Sequence, residues 1–161
     1  LPVLGVADVA VARQLVALSD EIRMTRAYLE LEQLRLGDRL RVVWHIEKMP
    51  ADALVPPLLI QPLAENAVYY GIEPEREPGE ISINIYRSQD QVHIVVRNPL
   101  SHDPMHRKGN GIALDNIRER LLLHFDLDAT LKAEPLGAVY QVHIQFPYTR
   151  DPATPPRPHR R

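Results

Sequence analysis

Cysteine is absent from the 161 residues, which excludes disulfides and thiolate metal sites and suits a reducing compartment. No apolar run approaches the roughly 18 residues of a membrane span. A dominant charge is lacking as well: the net charge of −2 gives no reason to expect nucleic acid or another polyanion as partner. The chain begins Leu1-Pro2-Val3-Leu4-Gly5, without an initiator Met or a signal-peptide layout, and is therefore expected to be a piece of a longer protein. The seven histidines show no metal-ligand spacing. His102 and His106 stand four apart in an irregular stretch, and His45 and His93 fall in expected strands. Neither Gly-x-Ser-x-Gly nor the P-loop pattern occurs, which disfavours a serine hydrolase or a Walker-type ATPase.

What remains is an ordinary globular composition, 45% hydrophobic and 25% charged, long enough for one domain with its own core. Residues 7–36 repeat apolar positions at helical spacing (Leu15, Leu18, Ile22, Leu29, Leu36), with Ser19 as a possible second start and Gly37 as a stop. Alternation predicts strands at 39–47, 80–87, 91–98, 129–134 and 138–146. Helices are expected at 57–70, with a kink or late start at Pro62 and an end at Gly71, and at about 111–124. Residues 72–79 and 99–110 read as loops. The order implies an α+β fold, helices on one face of a mostly antiparallel sheet. The Pro/Arg-rich tail 148–161 has little to bury and is expected to be disordered.

Two segments invite a chemical reading. Pro56 to Ala67 looks apolar all round yet carries Glu65 and Asn66 in its interior, and a buried polar group needs a partner. The Asn66 amide oxygen suits Mg²⁺, with Glu65 able to accept from a metal-bound water and Tyr69 and Tyr70 nearby. Equally, the pair would serve to tie the helix to neighbouring backbone. Gly109-Asn110-Gly111 opens the second helix, where glycines let backbone amides approach a phosphate and the helix N-terminus attracts it. Arg118 and Arg120 follow on that helix, within reach of anions or acids. Asn98-Pro99 ends a strand, either as a turn initiator or placed to read a base edge.

Together, Pro57-Leu58-Leu59-Ile60-Gln61-Pro62-Leu63-Ala64-Glu65-Asn66-Ala67 and Gly109-Asn110-Gly111-Ile112-Ala113-Leu114-Asp115-Asn116-Ile117-Arg118-Glu119-Arg120-Leu121 closely resemble the LytS/YehU-type sensor histidine kinases, most of all their alginate-regulator sensor branch. The resemblance spans about residues 19–147 and includes Tyr28-Leu29-Glu30-Leu31-Glu32 and Arg35 ahead of the first strand. It implies the GHKL (Bergerat) ATP-binding fold, a mixed, mostly antiparallel sheet backed by helices on one face. It also implies three parts: a helical linker from a dimerisation region over 1–37, the catalytic domain over 38–147, and the tail. ATP and Mg²⁺ are the implied cofactors. By resemblance Asn66 is the Mg²⁺ ligand and Glu65 the acid beside it. Tyr70, Asn98, Gly109, Gly111, Ile112, Leu114 and Asn116 line the nucleotide, under a lid formed by 99–110.

The chain departs from that pattern in places. Asn98 stands where kinases in general have an adenine-reading Asp, and Pro99-Leu100 follows it in place of Asn-Gly. A neutral hydrogen bond contributes about 0.5–1.5 kcal/mol against about 1.5–3 for a charged one; the difference, about 1 kcal/mol, is about fivefold in affinity. Tyr70 replaces a frequent His, Ala113 a third Gly, and Pro62 a further polar residue. The implied function is presentation of the ATP γ-phosphate to a phosphoacceptor His-Phe motif outside these residues, so the fragment alone is not expected to autophosphorylate. The implied setting is the cytoplasmic domain of an inner-membrane protein, homodimeric through preceding helices and partnered by a LytTR-type response regulator. The alternative is a degenerate GHKL module that acts by docking to a regulator. A chaperone or repair ATPase of the same fold is disfavoured because Pro62 occupies the place of the water-activating acid.

Overall fold

The structure, a computed structural model, describes residues 14–102 and 111–151. The expected lid residues 103–110, including Gly109, lie outside them, as do the first residues of the expected linker and most of the expected tail.

The first helix, α1, is Leu18–Leu36. It buries Leu18, Glu21, Ile22, Thr25, Leu29 and Leu36 along one face, the three-and-four spacing that faces a core. It stops at Gly37, whose φ of 57° is the left-handed conformation a glycine accepts without strain. Upstream the expectation of helix fails at Val16–Ala17, a short strand β1 paired antiparallel with β3, Leu54–Val55. The α1 N-terminus is met by carbonyls of that same segment: Leu18 N–H donates to Ala53 O at 2.8 Å and Ser19 N–H to Ala51 O at 3.1 Å. α1 therefore belongs to the core of the sheet domain, a closer union than a linker implies.

β2 is Leu40–His45, α2 is Ile60–Ala67, β4 is Gly79–Ser88 and β5 is Gln91–Pro99. α3 is Gly111–Phe125, β6 is Thr130–Leu136 and β7 is Val139–Pro147. The main sheet runs β2-β4-β5-β7-β6. β2 lies parallel to β4 and every other pair is antiparallel, so the sheet is mixed and mostly antiparallel, as expected. β6 forms one edge and contains Pro135.

The alternation that marked the strands decides the faces. Ile81, Ile83 and Ile85 of β4, Val92, Ile94 and Val96 of β5, and Val142, Ile144 and Phe146 of β7 join Leu29, Leu63, Leu114, Ile117 and Leu121 in one core. The opposite face carries Tyr86, His93, Arg97, Gln141 and His143. There Tyr86 stacks on His93 at 4.7 Å between centroids, and His93 Nδ1 meets His143 Nε2 at 2.9 Å.

The tail begins later than the composition suggests. Tyr148 Oη donates to the Asp52 carboxylate at 2.9 Å, and Leu54 N–H donates to Thr149 O at 2.8 Å. The Arg87 guanidinium lies 3.9 Å from the Tyr148 ring centre, a cation–π contact.

Candidate functional site

The helix bearing Glu65 and Asn66 starts late, at Ile60. Pro62 therefore sits in its first turn, where a missing N–H costs nothing, and no kink is needed. Before it, Leu58 adopts a φ of 57°, a conformation that costs a non-glycine residue about 1–3 kcal/mol and persists only where neighbours enforce it. Two side chains do so. The carboxylate of Glu21, 2% exposed, accepts from Leu58 N at 2.8 Å and Leu59 N at 3.3 Å. Arg120 Nη1 donates to Pro57 O at 2.7 Å and Leu58 O at 3.0 Å.

α2 is not apolar all round. Ile60, Leu63, Ala64 and Ala67 are buried, whereas Glu65 is exposed and accepts from Gln61 Nε2 at 3.1 Å. Asn66 is half-buried, yet its Nδ2 is buried without a hydrogen-bond partner among the described residues. Such an atom forgoes its solvation with no return from the protein, which fits a residue whose partner is a ligand.

Past Ala67 the helix widens into a π turn, Val68–Ile72, which runs through Gly71 rather than ending there. π turns recur at functional sites. Tyr70 is half-buried and packs edge-on to Tyr69, 4.8 Å between ring centres. The exit is held by Arg39, whose Nη2 donates to the carbonyls of Ile72, Glu73 and Glu75 at 3.3, 3.1 and 2.8 Å. Arg35 bridges Glu32 to Glu73 beside it. Burial, followed by the carboxylates of Glu32, Glu65 and Glu73, pushes the Tyr28 phenol up to about 12.

The π turn meets the other end of the site. A Cβ built on Gly71 would lie 2.6 Å from Asn98 Nδ2. Asn98, 7% exposed, donates from Nδ2 to Pro99 O at 2.8 Å, leaving Oδ1 as the acceptor for an incoming amine. A cleft of about 370 Å³ adjoins this end, lined by Gly71, Gly79, Pro99, Leu100 and Ala138 among others; its lining includes neither Glu65 nor Asn66.

Gly111 begins α3 with open space around its Cα, consistent with a backbone that something else can approach. Asn116 is exposed. Leu114, 4% exposed, is a core residue, so its side chain packs the helix onto the sheet and offers a ligand only its backbone. The Ile112 side chain lies outside the described residues. Arg118 pairs with Asp115 at 3.3 Å. Sequence reasoning left Arg120 among anion or acid partners and gave Glu21 no part in the site; both hold backbone groups of Pro57 to Leu59. Its acidic character at a buried helical position was the available signal for Glu21.

The mixed sheet backed by helices is the fold of histidine kinase catalytic domains. The solved catalytic domain of histidine kinase ThkA matches with a TM-score of 0.62 at 17% identity, over 86% of this chain and 98% of that one. The mycobacterial sensor histidine kinase MprB matches at 0.60 and 14%, over 86% and 99%. In sequence, sensor protein LytS of Oceanobacillus iheyensis is 31% identical over 151 residues, 85% of this chain and 26% of the relative. The sensor histidine kinase/phosphatase LytS of Staphylococcus aureus is 31% identical over 148 residues, 84% and 25%. The chain belongs to the LytS-type sensor histidine kinases, and it spans about a quarter of the length of the curated relatives it matches. No family model matches the chain.

Proposed function

We propose that this chain is the ATP-binding catalytic domain of a two-component sensor kinase, which in the whole protein brings the ATP γ-phosphate to a phosphoacceptor histidine outside these residues. The single observation behind this reading is the buried, unpartnered amide of Asn66, with Asn98 and the start of α3 set on neighbouring elements. Bound Mg²⁺–ATP supplies the phosphoryl group and the neutralising charge that such transfer requires. The chain's own residues orient it. Asn66 would hold the metal through its amide oxygen, with Glu65 exposed alongside as a hydrogen-bond acceptor. Asn98 Oδ1 would accept from the adenine amino group, with Tyr70 beside the base. Gly111 and Ile112, with the backbone of Leu114 and the Asn116 side chain, would bring N–H groups and a helix N-terminus to the phosphates, and the resemblance adds Gly109 to them. Placement is the main contribution.

The acceptor of the phosphoryl group in turn would be a LytTR-type response regulator. A ThkA structure in complex with the response regulator TrrA supports a regulator of some kind. The whole protein would dimerise through helices ahead of α1 and sit at the inner membrane with this domain in the cytoplasm; among the described residues no helix is long and apolar enough to cross a membrane.

Calorimetric titration of the folded chain with ATP, with and without Mg²⁺, tests the reading. Binding that Mg²⁺ strengthens is expected; no binding at millimolar nucleotide overturns it. The neutral Asn98 in place of a charged acceptor favours a second reading, docking without catalysis. That reading predicts intact signalling by an Asn66→Ala variant of the full-length protein.

A further inference from the structure

We propose that Glu21 and Arg120 are positioning residues for the metal end of the nucleotide site, forming a clamp that couples α1 and α3 to Asn66. The inference rests on the nucleotide reading above and adds to it a route by which α1 acts on the site.

α2 has no local cap: Leu59 at its start makes no side-chain capping bond. A Ser or Asp at that position would satisfy the free amides equally well and would tie the helix only to its own loop. Instead Glu21, 37 positions earlier, takes the amide of Leu58 at 2.8 Å and reaches those of Leu59 and Ile60 at 3.3 and 3.5 Å. The carbonyls of the same segment go to Arg120 on α3, at 2.7 Å for Pro57 and 3.0 Å for Leu58. Leu58 thus has its N–H held by one helix and its C=O by another, in a backbone conformation (φ 57°) that leucine does not adopt unaided.

Geometry then carries a displacement onward. Asn66 lies six residues beyond Ile60 on the same helix, about 9 Å along its axis. Helices shift as units, so a movement of α1 or α3 that drags Leu58 re-aims Asn66. The far side of the clamp is α3, which opens at Gly111. The clamp therefore makes the asparagine end and the phosphate end of the site move together with α1.

The test compares the 161-residue chain with Glu21→Gln, Glu21→Asp and Arg120→Lys variants. Three quantities are read: thermal melting, affinity for ATP with Mg²⁺ and in chelator, and amide hydrogen exchange. Glu21→Gln retains size but turns donors toward donors. It is expected to weaken Mg²⁺–ATP about tenfold while metal-free ATP changes less than about twofold, with Glu21→Asp partly restoring the metal-dependent part. Exchange should quicken at residues 58–60 and also in the first turns of α3. Arg120→Lys should show the same selective loss, and it carries the test should the Glu21 variants melt below the working temperature. A variant that lowers the melting temperature but leaves affinity unchanged, or weakens binding equally with and without Mg²⁺, overturns the proposal. Should the unaltered chain bind no nucleotide, the nucleotide reading fails by itself; the coupling is then decided by exchange, and α3 protection unchanged in Glu21→Gln refutes it.

Discussion

Gly71 and Asn98 are in such close contact that a methyl group on the glycine would lie 2.6 Å from the asparagine Nδ2 and 3.0 Å from its Cγ. The glycine is there for proximity, since its φ is not in the left-handed range. Gly71→Ala should therefore push Asn98 out of its bond to Pro99 and destabilise the fold by about 1–3 kcal/mol, as overpacking does. Urea unfolding checks the stability, and nucleotide titration of the folded fraction should show a weakened adenine end.

Asn66 sets stability against function. Its unpaired buried amide costs the fold about 1–3 kcal/mol, so Asn66→Leu, similar in shape and apolar, should raise the melting temperature. The same variant should lose the Mg²⁺ enhancement of ATP binding. A stabilised protein that still binds Mg²⁺–ATP normally would remove Asn66 from the metal site.

Glu65 is exposed and accepts a hydrogen bond from Gln61 on its own helix. Glu65→Gln should leave stability within about 0.5 kcal/mol while slowing autophosphorylation of the full-length protein by about a hundredfold, the scale of a lost acid–base group. Chemical denaturation and phosphotransfer from labelled ATP measure the two.

The ring pair on the solvent face of the sheet gives an acid sensitivity. Burial lowers the His93 imidazole below its usual range; burial, then His93 and Lys132, lowers that of His143. With both rings protonated neither nitrogen can accept, and the 2.9 Å contact is lost. Because the folded values are depressed, the unfolded chain binds more protons below pH of about 6.5. Stability is therefore whole above that pH and declines as pH falls through the folded values. His143→Gln should flatten the decline in melting temperature between about pH 7 and pH 5.

The Tyr28 phenol runs the other way. Its folded value of about 12 exceeds the ordinary 10.0, so the folded state holds a proton the unfolded state has shed. Stability is whole below about pH 10 and falls as pH rises toward 12. Tyr28→Phe should lose less stability across that interval in denaturant titrations.

Strands and long helices were legible because their signals are local. Alternation marked Ile81, Ile83 and Ile85 against Ser82 and Asn84, and Gly37 marked the end of α1. What escaped depends on partners far along the chain. Val16–Ala17 and Leu54–Val55 are too short to show a period, and they form because each completes the other. Glu65 read as interior because Pro56 to Leu59 extended the apolar run, whereas those residues precede the helix proper. Asn66 and Asn98 stood out in the sequence as polar residues in apolar elements, but the contact of Asn98 with Gly71 and the hold of Glu21 on Leu58 follow from packing alone.

β6 closes the sheet with Pro135 in its length and Lys132 and Glu134 on its outer face. A proline has no N–H to offer a newcomer, and charges resist apposition of a second strand. Concentrated solutions of this chain should therefore resist fibrillar growth at that margin. Removing that safeguard by Pro135→Val should shorten the lag before thioflavin-positive aggregates form.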